Sequence, residues 1–320
     1  MITPSQSRSE SQVLPKGAPR IAVLLPCRNE GVSISETVRG FRAALPFADI
    51  YVYDNASTDD TAQAARSAGA TVCREPNPGK GNVVRRMFAD VEADIYVMAD
   101  GDATYDAASA PRLIEALNAE RLDMVVAARA ETEDAAYRRG HRFGNWMLTS
   151  LVAFIFGQKL SDMLSGYRVF SRRFVKSFPS LAKGFEIETE LTVHALEIRA
   201  PMSEIDTPYF PRVDGSESKL RTFRDGFRIL RLILRLMRDE RPLSFFGLIG
   251  VVLGAVAAGL AIPVALDYLA TGLVPRLPTW ILSAALGIIG ALSLSVGLVL
   301  DTVTRGRREM RRLAYLAIPR

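Results

Sequence analysis

The chain has 320 residues, of which 48% are hydrophobic, and a net charge of +5. Two cysteines and two histidines argue against a disulfide-rich scaffold and a histidine-rich zinc site. The length suggests about two domains. Residues 1–19 are polar and lack an apolar core segment, so we expect a disordered lead without a signal peptide.

Residues 20–130 alternate short apolar runs with helical patterns, which predicts a mostly parallel sheet flanked by helices. The predicted strands are residues 21–26, 50–53, 71–76, 94–100 and 122–130. The first helix is predicted to run from about Ser33 or Ser35 to Ala44, with Ser35 as a candidate N-cap. Further helices are predicted after "STDD", after the glycine-rich "NPGKGN" and at residues 110–120.

Residues 141–218 continue this domain with a different pattern. An apolar helix is predicted at 141–157, a strand at 165–171, a helix at 185–199 and a strand leading into a loop at 204–219. We therefore expect one α/β domain over residues 20–218, with no internal repeat.

Six of the arginines in residues 219–241 are spaced three or four residues apart, beside a broad apolar stripe. On a helix these arginines fall within about 100° of arc. The arginines are Arg221, Arg224, Arg228, Arg231, Arg235 and Arg238. This pattern favours an amphipathic helix in an anionic headgroup region, with a solvated surface helix as the alternative.

Two uncharged stretches follow, at residues 243–266 and 277–300. Each would form a helix about 36 Å long, enough to cross a hydrocarbon core of about 30 Å. We expect a two-helix membrane anchor over 242–301, and "GVVLG" at 250–254 fits close helix packing. Residues 302–320 form an arginine-rich tail, which predicts that the tail and the α/β domain lie in the cytoplasm.

Asp100 and Asp102 stand one residue apart directly after the fourth predicted strand. Open α/β sheets bind ligands at this end of their strands. Two neighbouring carboxylates repel, and Mg²⁺ or Mn²⁺ would relieve the repulsion while bridging to a phosphate. On its own, the pair is equally compatible with a solvated turn.

Several phosphate-handling signatures are absent from the sequence. The first strand is followed by "PCRNEG" rather than G-x-G-x-x-G, which argues against a dinucleotide dehydrogenase. "NPGKGN" lacks the first glycine and the Ser/Thr of a P-loop, and no G-x-S-x-G occurs. The interpretation that remains is a protein that acts on a phosphorylated ligand beside a membrane and depends on a metal ion to do so.

Seven segments together resemble the family-2 inverting nucleotide-sugar glycosyltransferases, and most closely their polyisoprenyl-phosphate branch. They are "VLLPCRNE", "VYDNASTDDT", "PGKG", "ADGDATY", "DMLSGYRVFS", "GFEIETELTVHAL" and "SKLRTFRDGFRIL". The resemblance implies a GT-A (Rossmann-like) fold. No Q-x-x-R-W is present, which argues against a processive synthase.

The resemblance also implies a donor site. Pro26, Asn29, Glu30, Asp54, Lys80 and Lys219 would contact the nucleotide, and Asp100 and Asp102, with Thr104 behind them, would bind Mg²⁺ or Mn²⁺. A turn aspartate is the alternative for Asp54, and a helix start is the alternative for Lys80. "PCRNE" and "DNAST" depart from the usual family residues near the nucleotide, which leaves open whether the donor is a UDP- or a GDP-sugar.

An acceptor site is implied as well. Arg129, Arg139 and Ser165 would contact a polyprenyl phosphate, for which a guanidinium fork is well suited. Arg212 and Lys219 resemble a mobile basic loop that closes on the diphosphate, and Asp162 is either an N-cap or an active-site carboxylate. Surface charges are the alternative for the basic residues.

The implied reaction is a single inverting displacement at the inner membrane. A lipid phosphate is already anionic and needs no base, which agrees with the scarcity of histidine. Two alternatives stay open: a hydroxyl-bearing lipid acceptor with Asp162 as base, and a non-catalytic nucleotide-binding protein. No nucleic-acid partner is expected, and small residues on both spans allow a homo-oligomer.

Overall fold

The computed structural model describes residues 18–130, 149–150, 152–154, 157, 160–179, 187–211, 231 and 234–319. Contacts divide the chain into two compact units. The sheet unit comprises residues 1–145, 160–220 and 314–320, and the helix-pair unit comprises residues 146–159 and 221–313.

In the described part of the sheet unit, seven strands form one sheet in the order β3-β2-β1-β4-β6-β5-β7. The strands are β1 (Ile21–Cys27), β2 (Asp49–Asp54), β3 (Thr71–Arg74), β4 (Ile95–Met98), β5 (Met124–Ala130), β6 (Arg168–Ser171) and β7 (Met202–Pro208). Only β6 runs antiparallel to its neighbours, β4 and β5. The predicted mostly parallel α/β sheet is therefore confirmed.

Six helices of this unit connect or cover the strands in the described residues. They are α1 (Ile34–Ala44), α2 (Thr61–Ser67), α3 (Lys80–Asp90), α4 (Ala110–Ala119), α5 (Arg172–Ser177) and α6 (Ile187–Glu197). A short 3₁₀ turn, Ala107–Ser109, precedes α4.

The hydrophobic core has two layers, one on each face of the sheet. Alternate residues of β1 supply both: Val23 and Leu25 pack with α1 and α4, while Ala22 and Leu24 pack with the layer of α3, α5 and α6. Strands buried on both faces need nearly continuous apolar runs, which explains the short hydrophobic segments in the sequence.

Of the two predicted starts of the first helix the structure has the earlier one, so the prediction of Ser35 as the N-cap is wrong: Ser33, two residues before it, is the N-cap. The hydroxyl of Ser33 donates to the Gly101 carbonyl at 2.8 Å. Ser35 instead donates to the carbonyl of Ala64 at 3.2 Å. The helix start is thus set by its contact with the loop after β4.

The helix-pair unit contains α7 (Pro242–Thr271) and most of α8 (Leu277–Leu316). Among the described residues, these two helices are long and apolar enough to cross a membrane. A Cβ on Gly250 would lie 2.8 Å from the Gly290 carbonyl, so glycine allows the two backbones to approach, as "GVVLG" predicted. Residues 234–240 of the predicted amphipathic helix are helical, and residues 219–230 lie outside the described part.

The predicted basic tail continues α8 as a helix to Leu316, and its last residues belong to the sheet unit. There the Tyr315 hydroxyl donates to the Asp123 carboxylate, which is fully buried. Asp123 also accepts from Ser171 at 2.6 Å and from Arg173, whose guanidinium lies 4.6 Å from the centre of the Tyr315 ring.

We expect Tyr315→Phe to lower the free energy of unfolding by about 1.5–3 kcal/mol, because a hydrogen bond to a buried charge is lost. Thermal melting of the full chain in detergent measures this change. A melting temperature equal to that of the unsubstituted protein would contradict the prediction.

Candidate active site

The carboxyl ends of β1, β2 and β4 meet at one edge of the sheet. Cys27 pairs with Asp54, and Leu24 pairs with Met98, so the loops after these strands emerge side by side. Open α/β sheets bind ligands at this edge. Five of the predicted donor-site residues therefore come together there, at 26, 29, 30, 54 and 100.

The loop after β4 carries the two aspartates. Asp102 is 3% exposed, and its Oδ1 accepts from the Thr104 hydroxyl at 2.6 Å. A Cβ on Gly101 would lie 2.4 Å from the Cys27 sulfur, so glycine is required here by close packing on β1. The turn is thus held rigidly, with Asp100 the more exposed of the two carboxylates.

Lys80, the first residue of α3, reaches the exposed aspartate. Its Nζ lies 2.5 Å from Asp100 Oδ1 and 2.5 Å from Glu188 Oε1. Burial by itself would lower the pKa of Lys80, but the charges of Asp100 and Glu188 outweigh it and raise that pKa. Lys80 is therefore a buried cation shared by two carboxylates.

The donor side of the edge is built by two interlocked loops. Asn29 has a positive φ of 52°, its N–H donates to the Ser57 hydroxyl, and its Oδ1 accepts from Thr58 N–H at 2.8 Å. The Glu30 N–H donates to the hydroxyl of Thr61 at 2.8 Å. Asn29 and Glu30 are consequently fixed against the "NASTDD" loop.

Asp54 and Asn55 close the second strand. Asp54 accepts from Ser57 N–H at 3.1 Å, which forms a turn, while the residue itself is 7% exposed. The Asn55 amide donates to the carbonyls of Glu75 and Asn77 and accepts from Gly79 N–H at 2.7 Å. An amide can do both, whereas an aspartate could only accept, which explains asparagine in "DNAST". Pro26 is buried within β1.

Arg129 and Asp162 form a bidentate ion pair across the sheet edge. Arg129 Nε and Nη2 donate to Asp162 at 2.6 and 2.8 Å. Burial by itself would raise the pKa of Asp162, but its hydrogen bonds and charge interaction with Arg129 outweigh that effect and lower the pKa. Asp162 lies in a turn rather than at the start of a helix, and it orients the guanidinium.

Tyr105 follows the two aspartates in the same loop and is buried. Its ring is 5.4 Å from that of Tyr209, over which the Arg129 guanidinium lies at 5.5 Å. The Tyr105 hydroxyl accepts from Gly166 N–H at 2.8 Å. Burial raises the pKa of Tyr105, and the charge of Asp100 raises it further while that of Arg129 lowers it. Tyr105 is therefore linked to Asp100 through Gly166 and to Arg129 through Tyr209.

The "SGYR" segment, residues 165–168, packs against the candidate site. Ser165 is fully buried, and its hydroxyl donates to the Ala127 carbonyl at 2.6 Å, so it fixes the segment to β5. Arg168 is also fully buried and donates to the carbonyls of Met163 and Ser165 and to the Thr192 hydroxyl. Its guanidinium thereby ties this segment to α6.

Gly166→Ala is expected to slow the sugar transfer that the family resemblance implies about 10- to 100-fold. The new Cβ would lie 2.7 Å from Asp100 Oδ2 and 3.1 Å from Lys80 Nζ, so the carboxylate must shift. Initial rates with purified protein measure the effect. Gly306→Ala, where no atom lies within 4 Å, is the matched control and should leave the rate unchanged. Equal rates for the two variants would contradict the prediction.

Acid should remove the stability that Asp162 contributes. Because its folded-state pKa is lowered, this contribution is complete above the unfolded value of about 4 and is lost as the pH falls through the folded value. Below pH 4, the melting temperature of the unsubstituted protein should therefore fall more steeply than that of Asp162→Asn. Parallel curves from pH 6 to pH 3 would contradict this assignment.

The residues at the aspartate turn fit a hard divalent cation. Carboxylate oxygens are its preferred ligands, and Asp100 already accepts a positively charged group, the Lys80 ammonium. Within the described ranges, no three Asp, Glu, His or Cys side chains cluster as a complete metal site. Mg²⁺ usually takes the rest of its shell from water and substrate phosphates.

Sequence reasoning missed Glu188, Asn55 and Tyr105. Glu188 stands in the quoted "GFEIETEL", but an acidic residue in the first turn of a helix is also common at solvated helix starts. Arg139, Arg212 and Lys219 lie outside the described residues. Their assignments stay predictions.

The sequence of this chain is similar to a known protein family and to individual proteins of known sequence. Residues 22–178 match glycosyl transferase family 2. Glycosyltransferase AglJ of Haloferax volcanii is 33% identical over 299 residues, which cover 92% of this chain and 98% of AglJ. Dolichyl-phosphate hexose transferase of the same organism is 25% identical over 222 residues, or 69% of this chain and 95% of that protein.

A solved structure is similar in fold. Glucosyl-3-phosphoglycerate synthase from Mycobacterium tuberculosis, in complex with Mn²⁺, UDP-glucose and phosphoglyceric acid, gives a TM-score of 0.58 at 24% identity. The match covers 69% of this chain and 80% of that chain, and it agrees with the expected GT-A fold. Since the similarity to AglJ extends over nearly the whole chain, the protein belongs to glycosyltransferase family 2 and is a glycosyltransferase.

Proposed function

We propose that this enzyme transfers a hexose from a nucleotide sugar to a polyprenyl phosphate at the cytoplasmic face of a membrane, with Mg²⁺ or Mn²⁺. The observation that carries the proposal is that Tyr105 contacts neighbours of both groups. Its hydroxyl accepts from the N–H of Gly166, which lies against Asp100, and its ring contacts that of Tyr209, over which the Arg129 guanidinium lies. A cation-binding group for a diphosphate thus lies near a phosphate-binding group. The name of the dolichyl-phosphate relative supports the acceptor.

On the donor side, Asn29, Glu30 and Asp54 would contact the base and ribose. Asp100 and Asp102 would hold the divalent cation, which when bound would supply positive charge to the leaving diphosphate. Lys80 adds a fixed positive charge at the same place. Arg212 and Lys219, which follow β7 in the sequence, would complete the positive surroundings of the diphosphate.

On the acceptor side, Arg129 would bind the lipid phosphate, and Arg139 would assist it. Asp162 keeps the Arg129 guanidinium in one orientation. The lowered pKa of Asp162 makes this carboxylate a weak base, which favours a phosphate acceptor over a hydroxyl acceptor. An anionic phosphate oxygen would attack the anomeric carbon directly and invert it, giving a β-linked product from an α-linked donor.

The helix-pair unit supports a location at the membrane. Helices α7 and α8 expose many large apolar side chains, including Leu248, Leu266, Ile288 and Leu298. Exposed apolar surface on helices of this length is favourable in lipid. Six arginines in the last 20 residues favour the cytoplasmic side for the C-terminus.

The test uses the purified full chain in detergent with Mg²⁺ or Mn²⁺, a panel of UDP- and GDP-sugars, and undecaprenyl phosphate. We expect a lipid-linked sugar to form with at least one donor and EDTA to stop its formation. Diacylglycerol in place of the lipid phosphate should give no product. Nucleotide binding without turnover for every donor would instead identify a non-catalytic binding protein.

A further inference from the structure

Glu188 is a buried carboxylate that the proposed reaction does not use. Its side chain is 6% exposed, and its Oε1 lies 2.5 Å from Lys80 Nζ. Lys80 in turn lies 2.5 Å from Asp100 Oδ1 and is itself 10% exposed. Three charged groups from α6, α3 and the loop after β4 therefore meet in one row, with the ammonium in the middle.

The row has a net charge of −1, because one ammonium is shared by two carboxylates. Asp100 is the carboxylate that a divalent cation would need, and one of its oxygens is already occupied by Lys80. The other oxygen is confined by Gly166, since a Cβ there would approach it to 2.7 Å. A cation approaching Asp100 therefore competes directly with the ammonium.

We propose that Glu188 is a positioning residue that retains the Lys80 ammonium and so frees Asp100 to bind a divalent cation. Without Glu188, Asp100 would be the sole carboxylate partner of Lys80 within the described residues, and the cation would have to break that pair. With Glu188, the ammonium keeps a buried counter-charge and stays beside the diphosphate site. This inference rests on the proposed function, since it assumes that Asp100 binds a metal ion.

Mn²⁺ binding to the full chain in detergent, measured by electron paramagnetic resonance of the free ion, tests the inference without turnover. Glu188→Gln should weaken Mn²⁺ binding about tenfold, because a nearby negative charge is lost and Lys80 pairs only with Asp100. Lys80→Met should tighten it by a similar factor. The double variant has the net charge of the original row and should bind Mn²⁺ within about threefold of the unsubstituted protein.

Glu92→Gln is the matched control, because Glu92 also pairs with a lysine, Lys176, at 2.8 Å but precedes β4 at the opposite end of the strand. It should leave Mn²⁺ binding unchanged. The double variant leaves only Asp100 without its ammonium partner, and this carboxylate is 30% exposed, so the variant tests the inference even where Glu188→Gln folds poorly.

Two results would overturn the inference while leaving the proposed function intact. One is Mn²⁺ binding by Glu188→Gln equal to that of the unsubstituted protein. The other is weakened binding that persists in the double variant, since Glu188 would then act without Lys80. Absence of Mn²⁺ binding by the unsubstituted protein itself would contradict both the inference and the metal dependence of the proposed function.

Discussion

Asp102→Asn is expected to lower the rate of sugar transfer about a thousandfold. Asparagine has the shape of aspartate and can still accept from Thr104, whose hydroxyl lies 2.6 Å from Asp102 Oδ1. The loop should therefore keep its conformation while the negative charge beside the diphosphate is lost. Initial rates of lipid-linked sugar formation, together with Mn²⁺ binding, measure the result.

Asp106→Asn is the control for this substitution. Asp106 follows in the same loop and accepts from Ala108 N–H at 3.1 Å and from the Ser109 hydroxyl at 2.7 Å. It carries the same charge but caps the 3₁₀ turn, so its variant should keep the transfer rate within about twofold. If Asp102→Asn kept the rate of the Asp106 variant, the metal assignment would be wrong.

Arg129→Met is expected to lower both stability and transfer. The substitution leaves the buried Asp162 carboxylate without its bidentate partner, which should cost about 3–5 kcal/mol of unfolding free energy. The double variant Arg129→Met/Asp162→Asn should recover most of that stability. Its transfer rate should stay at least about a hundredfold below that of the unsubstituted protein, because the guanidinium that would bind the acceptor phosphate is absent.

Arg173→Met supplies the matched control. The pair of Arg173 and Asp123 is buried and bidentate like the pair of Arg129 and Asp162, with Arg173 16% exposed and Arg129 15% exposed. Loss of the Arg173–Asp123 pair should lower the free energy of unfolding while leaving the rate of sugar transfer per folded molecule unchanged. Transfer that returned with stability in the Arg129/Asp162 double variant would assign Arg129 a structural function alone.

The pairing of Arg129 with Asp162 also bears on the choice of acceptor. A carboxylate held by a guanidinium at 2.6 and 2.8 Å is poorly suited to take a proton from a hydroxyl. The same contact keeps the guanidinium in place for an anion. The geometry therefore favours an acceptor that is already ionised, in agreement with the two histidines of the chain.

Much of the fold could be predicted from the sequence because it follows from local patterns. The apolar runs that became β1, β2, β4 and β5 have the short length of buried strands, and the helical periodicity between them requires parallel crossovers. The aspartates at 100 and 102 follow β4 directly, so their place at the sheet edge is set by chain order. Helices α7 and α8 likewise follow from two long uncharged stretches.

The sequence by itself thus determined the order of strands and helices, the edge that carries the candidate site and the family resemblance. The tertiary structure alone decided which charges meet: Lys80 with Glu188, Arg129 with Asp162, and Asp123 with Tyr315. These partners lie far apart in the chain, and an acidic residue at a helix start has the same local pattern whether it is solvated or buried. Ion pairing depends on distance in space and on burial, which only the packing of distant segments sets.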